Sequence, residues 1–194
     1  MRTQLNVNSA RAPSLTLQGL PTAERDLIES CLRGDCEAQQ SLYEQYSGKI
    51  YRLMFRMVGS SHADDLTQQV FLCVLRKLDK FHGHSLFSTW LYRVASNEAL
   101  QFLRESHRDL EQPIRCELAD NQSDATDQVD QRELLEFALS RLDPELRAIF
   151  LLRESEGLSY YDIALTLDIA EGTVASRLSR ARRRMRELID AASR

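Results

Sequence analysis

The chain has 194 residues, a hydrophobic content of 43% and a formal net charge of −4, which allows one large or two small globular domains. Only 7 Gly and 4 Pro interrupt a composition dominated by helix-forming residues, so we expect an all-α fold. Because no run of 18 apolar residues occurs and the first twenty residues lack an apolar core, a membrane span and a signal peptide are excluded, and a cytoplasmic location is expected.

The first predicted domain comprises residues 22–108 and contains four helices. It follows residues 1–21, which are expected to be a flexible N-terminal extension. Thr22 is expected to cap the first helix, Gly34 to end it and Asp35 to cap the second.

The second and third helices each carry one apolar stripe. In the second helix the stripe recurs at three- and four-residue steps, which predicts one buried face. Its members are Ala38, Leu42, Tyr46, Ile50, Leu53 and Met57. Gly59 is expected to end this helix, and Ser61 with Asp64 matches a capping box for the third helix. The fourth helix is predicted from about residue 87 to residue 106.

Residues 109–130 differ in character from the rest of the chain. They hold seven acidic residues and one basic residue, with few apolar ones. The negative charges of such a segment repel one another, and it has few apolar side chains to bury, so we predict a flexible acidic linker. The remainder of the chain then carries about +2, and the net charge is no argument against a nucleic-acid partner.

The second predicted domain, residues 131–194, contains a helix-turn-helix. Asp143 followed by Pro144 is a strong helix start. Ser159 with Asp162 is a capping box for a short helix, a tight turn follows, and the last helix starts near Gly172. Two short helices joined by such a turn are typical of DNA-binding proteins.

The last helix has an apolar face and a basic face. Val174, Leu178, Ala181, Met185 and Leu188 form the apolar face. Thr173, Ser176, Arg177, Arg180 and Arg184 form the other. A helix of this kind can place its first residues on base edges in the major groove and its later arginines on phosphates. An arginine-rich run by itself is equally consistent with a solvated helix, but the capped helix and turn before it favour DNA binding.

The fourth helix also carries a polar stripe. Its members are Trp90, Arg93, Asn97, Gln101 and Arg104, at steps of three and four residues. Amides and guanidinium groups can contact bases or phosphates, and an aromatic ring can stack on an unpaired base. The alternative for Trp90 is an ordinary core position.

The four cysteines, Cys31, Cys36, Cys73 and Cys116, lack the spacing of a metal site. No C-x-x-C pair or nearby histidine completes a zinc set, so we expect reduced thiols, with Cys73 in the core, and no metal or other cofactor. The histidines have no nucleophile partner, and no catalytic residues are predicted.

Three segments in order resemble bacterial RNA polymerase sigma factors of the extracytoplasmic-function subgroup of the sigma-70 family. These segments read "DDLTQQVFLCVLRKLDKF", "FSTWLYRVASNEALQFLR" and "EGLSYYDIALTLDIAEGTVASRLSRARRRMREL", and the resemblance covers about residues 24–190. It implies a four-helix sigma-2 domain and a helix-turn-helix sigma-4 domain, with nothing but the linker between them.

The resemblance assigns roles to individual residues. The helix over residues 63–77 would dock on the clamp helices of the polymerase through Asp65, Gln68 and Gln69, although the family often has Glu at the last position. The helix over residues 87–104 would grip the −10 promoter element, with Asn97 at a base-reading position and Trp90 at the melting edge.

The resemblance also covers the preceding loop and the last helix. The loop over residues 80–85 would trap a flipped-out base, and its distinctive side chains are Lys80, His82 and His84. The helix over residues 172–186 would read the −35 element.

The resemblance therefore implies an alternative sigma factor that directs core RNA polymerase to −10/−35 promoters. Expected partners are the polymerase, through its clamp helices and flap, promoter DNA, and a membrane-bound anti-sigma factor; no small-molecule substrate is expected. The alternatives are a stand-alone helix-turn-helix regulator, an adaptor that binds polymerase without reading promoters, and, least supported, an enzyme. Binding to core polymerase and promoter-directed transcription distinguish them.

Overall fold

A computed structural model describes residues 20–109 and 126–192, with side chains described for residues 20–106 and 133–192. The helices are α1 (Thr22–Leu32), α2 (Cys36–Val58), α3 (Ser60–Lys77), α4 (Phe87–Asp109), α5 (Thr126–Ser140), α6 (Pro144–Glu154), α7 (Tyr160–Leu167) and α8 (Glu171–Ala192). These two ranges contain no β-strand, which confirms the all-α prediction. Most of the predicted N-terminal extension and of the predicted linker lie outside the described residues, and Cys116 lies there too.

The joint between α1 and α2 is built as the sequence predicts. Gly34 has φ +82°, a left-handed conformation that costs glycine little. The Asp35 carboxylate then accepts hydrogen bonds from the backbone N–H groups of Glu37 and Ala38, at 2.9 and 3.3 Å. Asp35 therefore satisfies two of the donors that the start of α2 leaves unpaired.

Two other predicted caps are wrong. Thr22 is already the first residue of α1, and Pro21 stands at the N-cap position without a side-chain hydrogen bond. Gly59 ends α2 with φ +88° and is at the same time the N-cap of α3, which has no side-chain cap. Because the chain reverses within this single glycine, Ser61 already lies inside the helix and cannot cap it.

The first domain encloses a core between α2, α3 and α4. Every member of the predicted α2 stripe is buried, and Cys73 is buried as expected. Phe81, just after a single 3₁₀ turn at Leu78–Lys80, and Phe87, at the start of α4, are among the largest fully buried side chains. Their rings lie 5.4 Å apart and anchor both ends of the loop that precedes α4. Each such ring contributes about 1.5–3 kcal/mol by burial.

One helix of the second half of the chain begins inside the expected linker. Helix α5 starts at Thr126, and α6 runs from Pro144 to Glu154. The Asp143 cap is confirmed, since its carboxylate accepts from the Glu145 N–H at 3.0 Å.

The two domains pack against each other, which the sequence did not predict. Helix α4 lies along α7, and α2 contacts both α5 and α6. At the centre of this contact Arg147 of α6 is only 5% exposed. The geometry of the candidate site depends on this packing.

Candidate nucleic-acid interface

The helix-turn-helix is formed by α7 and α8. Ser159 accepts a hydrogen bond from the Asp162 N–H at 3.1 Å and donates one to the Asp162 carboxylate at 2.6 Å, which confirms the predicted cap. Asp168 ends α7 in the left-handed conformation, with φ +54°, one that aspartate tolerates better than most residues. The turn thus places α8 across α7, and α8 buries Val174 and Leu178 against the domain.

The opposite face of α8 is open to solvent at three of its five predicted contact residues. Ser176, Arg180 and Arg184 are exposed, whereas Thr173 and Arg177 are partly buried. The Arg177 guanidinium lies 2.6 Å from the Glu145 carboxylate, and Arg184 lies 3.1 Å from Glu187. Exposed ion pairs of this kind are worth about 1 kcal/mol or less, so a DNA phosphate can displace the glutamate.

Arg182 has a different role from its neighbours. Its Nε and Nη2 atoms both donate to one oxygen of Glu154, at 2.9 and 2.6 Å, which ties α8 to α6. The hydrogen bond with Glu154 raises the pKa of Arg182 further above its ordinary value. Arg182 therefore stabilises the second domain through its contact with α6.

The polar stripe of α4 is exposed at four of its five positions. Arg93, Asn97, Gln101 and Arg104 face solvent. Trp90 is half-buried, with its ring 5.5 Å from that of Phe81, so its exposure lies between the two alternatives, a position on an exposed stripe and an ordinary core position. The buried rings of Phe81 and Phe87 approach the surface at this point, and the indole of Trp90 packs against them at the edge of the core.

Phe102 is an apolar residue of α4 that is only half-buried. Its ring lies 4.8 Å from that of His62 on α3. It lies at the edge of the α3–α4 contact, where the core meets solvent.

The loop before α4 presents three exposed polar side chains, Lys80, His82 and His84. Gly83, between the histidines, has φ +73°, and the two imidazole rings lie 6.2 Å apart. The buried ring of Phe81 holds this loop next to the Trp90 end of α4. The loop and the start of α4 therefore form one continuous surface.

The predicted docking residues Asp65, Gln68 and Gln69 are all exposed on α3. The Gln69 amide donates to the Glu98 carboxylate of α4 at 3.2 Å. A glutamate at position 69 would place two like charges at this contact, whereas the amide of Gln69 can donate to Glu98. Gln68 faces a groove that Tyr43 and Tyr51 of α2 also line.

The candidate residues of the two domains line one cleft of about 650 Å³. Asn97 and Arg104 of α4 form one wall, and Arg177 and Arg180 of α8 form another. Asp143 and Glu145 lie at its edge and bring negative charge close to the arginines. Sequence reasoning missed this cleft because each half of it belongs to a different domain.

No group of three or more His, Cys, Asp or Glu side chains in the described ranges is arranged to hold a metal ion. Nor does any helix of those ranges have the length and apolarity that a membrane crossing requires.

Comparison with known proteins places both domains. Residues 42–109 match the family model of Sigma-70 region 2, and residues 132–185 match that of Sigma-70, region 4. The chain is 36% identical over 172 residues to the ECF RNA polymerase sigma-E factor of Haemophilus influenzae, covering 82% of this chain and 91% of that one. It is 36% identical over 186 residues to the RNA polymerase sigma-H factor of Pseudomonas aeruginosa, covering 83% and 92%.

Solved structures share the fold. CnrH in complex with the cytosolic domain of CnrY has a TM-score of 0.65 at 23% identity and covers 87% of this chain and 98% of its own. The sigma factor RpoE of Bartonella quintana, in complex with the anti-sigma factor NepR, has a TM-score of 0.61 at 24% identity and covers 78% and 96%. With both family models matched in order and with relatives aligned over nearly their full length, the chain belongs to the extracytoplasmic-function RNA polymerase sigma factors of the sigma-70 family and is an alternative sigma factor.

Proposed function

We propose that this sigma factor reads a bipartite promoter with α4 and α8 while α3 holds it on core RNA polymerase. The observation that carries the proposal is the division of α8 into two faces. One face is buried in the second domain, and the other presents Ser176 and Arg180 to solvent after a capped helix and a tight turn. Such a helix can enter the major groove without unfolding its own domain.

The −10 element is assigned to α4 and the loop before it. Asn97 and Gln101 can read base edges, and Arg93 and Arg104 can neutralise phosphates. Trp90 at the rim offers one face of its ring to an unstacked base while the other remains on the core. Lys80, His82 and His84 surround the position that a flipped base would occupy. Unstacking such a base costs a few kcal/mol, and the contacts that the base makes with this surface must offset that cost.

Docking on the polymerase is assigned to the exposed side of α3. Asp65 and Gln68 project there without covering the first-domain core, so contact with the clamp helices needs no rearrangement of this domain. We further propose that residues 109–130 tether the two domains, on the basis of their acidic composition. A tether raises the effective concentration of each DNA-reading domain once the other is engaged.

An anti-sigma factor is proposed as the inhibitory partner, bound to a membrane and acting on this chain in the cytoplasm. Two structural relatives were solved with partners: CnrH with the cytosolic domain of CnrY, and RpoE with the anti-sigma factor NepR. The chain itself is proposed to act by binding alone, with catalysis left to the polymerase.

The proposal is tested by reconstitution with purified core RNA polymerase and mapping of transcripts from genomic template. We expect discrete start sites that are absent with the polymerase alone. Failure to bind polymerase at low salt would contradict the proposal. Binding without promoter-directed transcripts would favour the alternative of an adaptor that binds polymerase without reading promoters.

Matched substitutions test the residue assignments. Gln101→Ala is expected to weaken transcription, whereas Gln40→Ala is not. The two glutamines make the same i,i+4 hydrogen bond, to Glu105 at 2.9 Å and to Glu44 at 2.8 Å, but only Gln101 lies on α4. Equal transcription by both variants would remove α4 from the −10 contact.

A further inference from the structure

We propose that Leu86 is an apolar wedge that enters the DNA duplex beside Trp90, at the point where the −10 element begins to open. The inference rests on the proposed function, because it adds one contact to the surface assigned to the −10 element. Leu86 belongs neither to the polar stripe of α4 nor to the loop over residues 80–85. Its task, separating stacked base pairs, differs from that of a residue that holds a base already unstacked.

The side chain of Leu86 is open to solvent. It is 58% exposed, although the residue that follows it, Phe87, is fully buried at the start of α4. A single exposed leucine is ordinary on a protein surface and is not by itself a sign of function. Two further observations distinguish Leu86, namely its position relative to α4 and the side chains around it.

Leu86 occupies a position that favours a polar side chain. It immediately precedes α4, and its carbonyl accepts a hydrogen bond from the Trp90 N–H at 3.2 Å, in the first turn. The side chain before a helix is usually a serine, threonine, asparagine or aspartate, and leucine is among the poorest choices. Asp35, Asp143 and Ser159 fill the corresponding positions of α2, α6 and α7. Leucine here costs stability, and such local rules are broken most often at functional sites.

The closest functional neighbour of Leu86 along the helix is Trp90, one turn further on. The indole packs on the rings of Phe81 and Phe87, with ring centroids 5.5 and 5.7 Å away, which fixes its position at the edge of the core. Leu91, the apolar residue next to it, is only 1% exposed and cannot reach DNA. Leu86 is therefore an aliphatic side chain that can act on DNA at the Trp90 end of α4.

The surroundings of Leu86 suit a partner that carries phosphates. Residues 80–97 include no acidic side chain, whereas Lys80 and Arg93 are both exposed and positively charged. Protein partners are anchored mainly by aromatic residues and arginine, and leucine is under-represented among such anchors. Apolar side chains of this size do enter between base pairs, while neighbouring cations bind the phosphates. The occupant we assign to this surface is therefore the edge of a DNA duplex.

Leu86 and Trp90 act at different stages of opening. A leucine side chain has no aromatic face and no hydrogen-bonding atom, so it is poorly suited to hold a single base. Inserted between two base pairs, it replaces part of their stacking with apolar contact and favours their separation. Trp90 then receives the unstacked base on its open face. Leu86 should therefore matter while a duplex is being opened and be dispensable on DNA that is already unpaired.

Three substitutions of Leu86 separate its role at DNA from its role in the fold. Leu86→Ala removes most of the apolar side chain, and Leu86→Ser removes it while supplying the hydroxyl that a helix start favours. In thermal denaturation of the full chain, Leu86→Ala should melt within about 2 °C of wild type, and Leu86→Ser at the same temperature or higher. Leu86→Met keeps an apolar side chain of similar volume and should retain opening.

Opening is measured with each chain reconstituted on core RNA polymerase. The DNA is a promoter found by transcript mapping, used both as a duplex and with mismatched bases across the −10 element. On the duplex, Leu86→Ala and Leu86→Ser should lower permanganate reactivity of thymines and transcript yield about tenfold, because the apolar contact is lost. Recruitment, measured by gel mobility, should be unchanged. On the mismatched DNA both variants should transcribe as wild type does.

Leu72→Ala is the matched control. Leu72 is 61% exposed on α3, so its truncation removes the same atoms from an equally open position of the same domain. Whatever its effect on polymerase binding, its ratio of transcription from duplex to transcription from mismatched DNA should remain that of wild type.

Four outcomes would overturn the wedge: normal duplex opening by Leu86→Ala, an equal defect on both DNAs, an equal change of the ratio in Leu72→Ala, or loss of opening by Leu86→Ser that follows a lower melting temperature. Each of these leaves transcription by the wild-type chain intact, and with it the proposed function. A wild-type chain that directs no promoter transcripts contradicts the proposed function instead, and the wedge falls with it.

Discussion

The guanidinium of Arg147 in α6 donates a hydrogen bond of 2.6 Å to the backbone carbonyl of Met57 in the last turn of α2. Because Arg147 is only 5% exposed, its charge is stabilised by carbonyl dipoles of both domains and not by water. Its contacts with Ser140 and Leu142 also hold the turn between α5 and α6. One side chain therefore supports the second domain and joins it to the first.

Replacement of Arg147 should destabilise the chain strongly. For Arg147→Met we expect a loss of about 2–4 kcal/mol, since buried carbonyls lose charge-assisted partners. The loss is measured by chemical denaturation of the full chain. Arg186→Ala, at an exposed position of α8, should change stability by less than about 0.5 kcal/mol. Similar losses in the two variants would show that the buried contacts contribute little.

The cap of the helix-turn-helix gives a second prediction. Ser159→Ala removes the acceptor for the Asp162 N–H and should cost about 1 kcal/mol. Ser179→Ala changes the same side chain at an exposed position inside α8 and should be neutral or slightly stabilising, because alanine is the better helix former. Thermal denaturation of both variants checks the difference, and equal melting temperatures would argue against the cap.

Glu145 is expected to compete with DNA for Arg177, because the two side chains form an ion pair. In Glu145→Gln the Arg177 guanidinium is released from its 2.6 Å ion pair, and promoter binding by the reconstituted polymerase should become a few-fold tighter. Glu37→Gln is the control, because Glu37 occupies the same position after an aspartate cap at the start of α2 and causes the same change in net charge. Equal effects of both variants would mean that net charge alone is responsible.

Trp90 combines packing with its proposed role at the melting edge. Trp90→Ala should cost about 2 kcal/mol of stability, roughly half the value for a fully buried aromatic ring. It should also reduce promoter opening, measured by permanganate reactivity of thymines, more than recruitment, measured by gel mobility. Trp90→Phe keeps a ring on Phe81 and should restore most of the stability. If the alanine variant opened promoters normally, the stacking role would be lost.

Two buried phenols should make the chain sensitive to alkali. Burial, together with a hydrogen bond to a carboxylate, raises the pKa of both Tyr46 and Tyr92 above the unfolded value of about 10. Their stabilising contribution is complete below that pH and is lost as the pH rises further, because the unfolded state ionises first. Urea denaturation from pH 8 to 11 should show a steeper loss for wild type than for the variant with both Tyr46→Phe and Tyr92→Phe. Parallel curves would contradict this.

Much of the fold could be predicted from patterns of residues that are close together in the sequence. The stripe of α2, the caps at Asp35 and Ser159, and the two faces of α8 depend on residues within one or two helical turns of each other. The caps that failed, at Thr22 and Ser61, also had suitable local chemistry. There the neighbouring Pro21 and Gly59 determined where the helix began.

The amino-acid sequence by itself determined the all-α fold, the sigma-factor family and the division of α8 into an apolar and a basic face, because these follow from residue patterns within single helices and within short segments. Only the tertiary structure decided that Arg182 binds Glu154, that Trp90 rests on the core, and that the two domains close on each other through Arg147. These relations join residues from 9 to 90 positions apart: Trp90 and Phe81, Arg182 and Glu154, and Arg147 and Met57. Periodicity within a helix shows which side of it is buried, but it holds no information on which distant helix will cover that side.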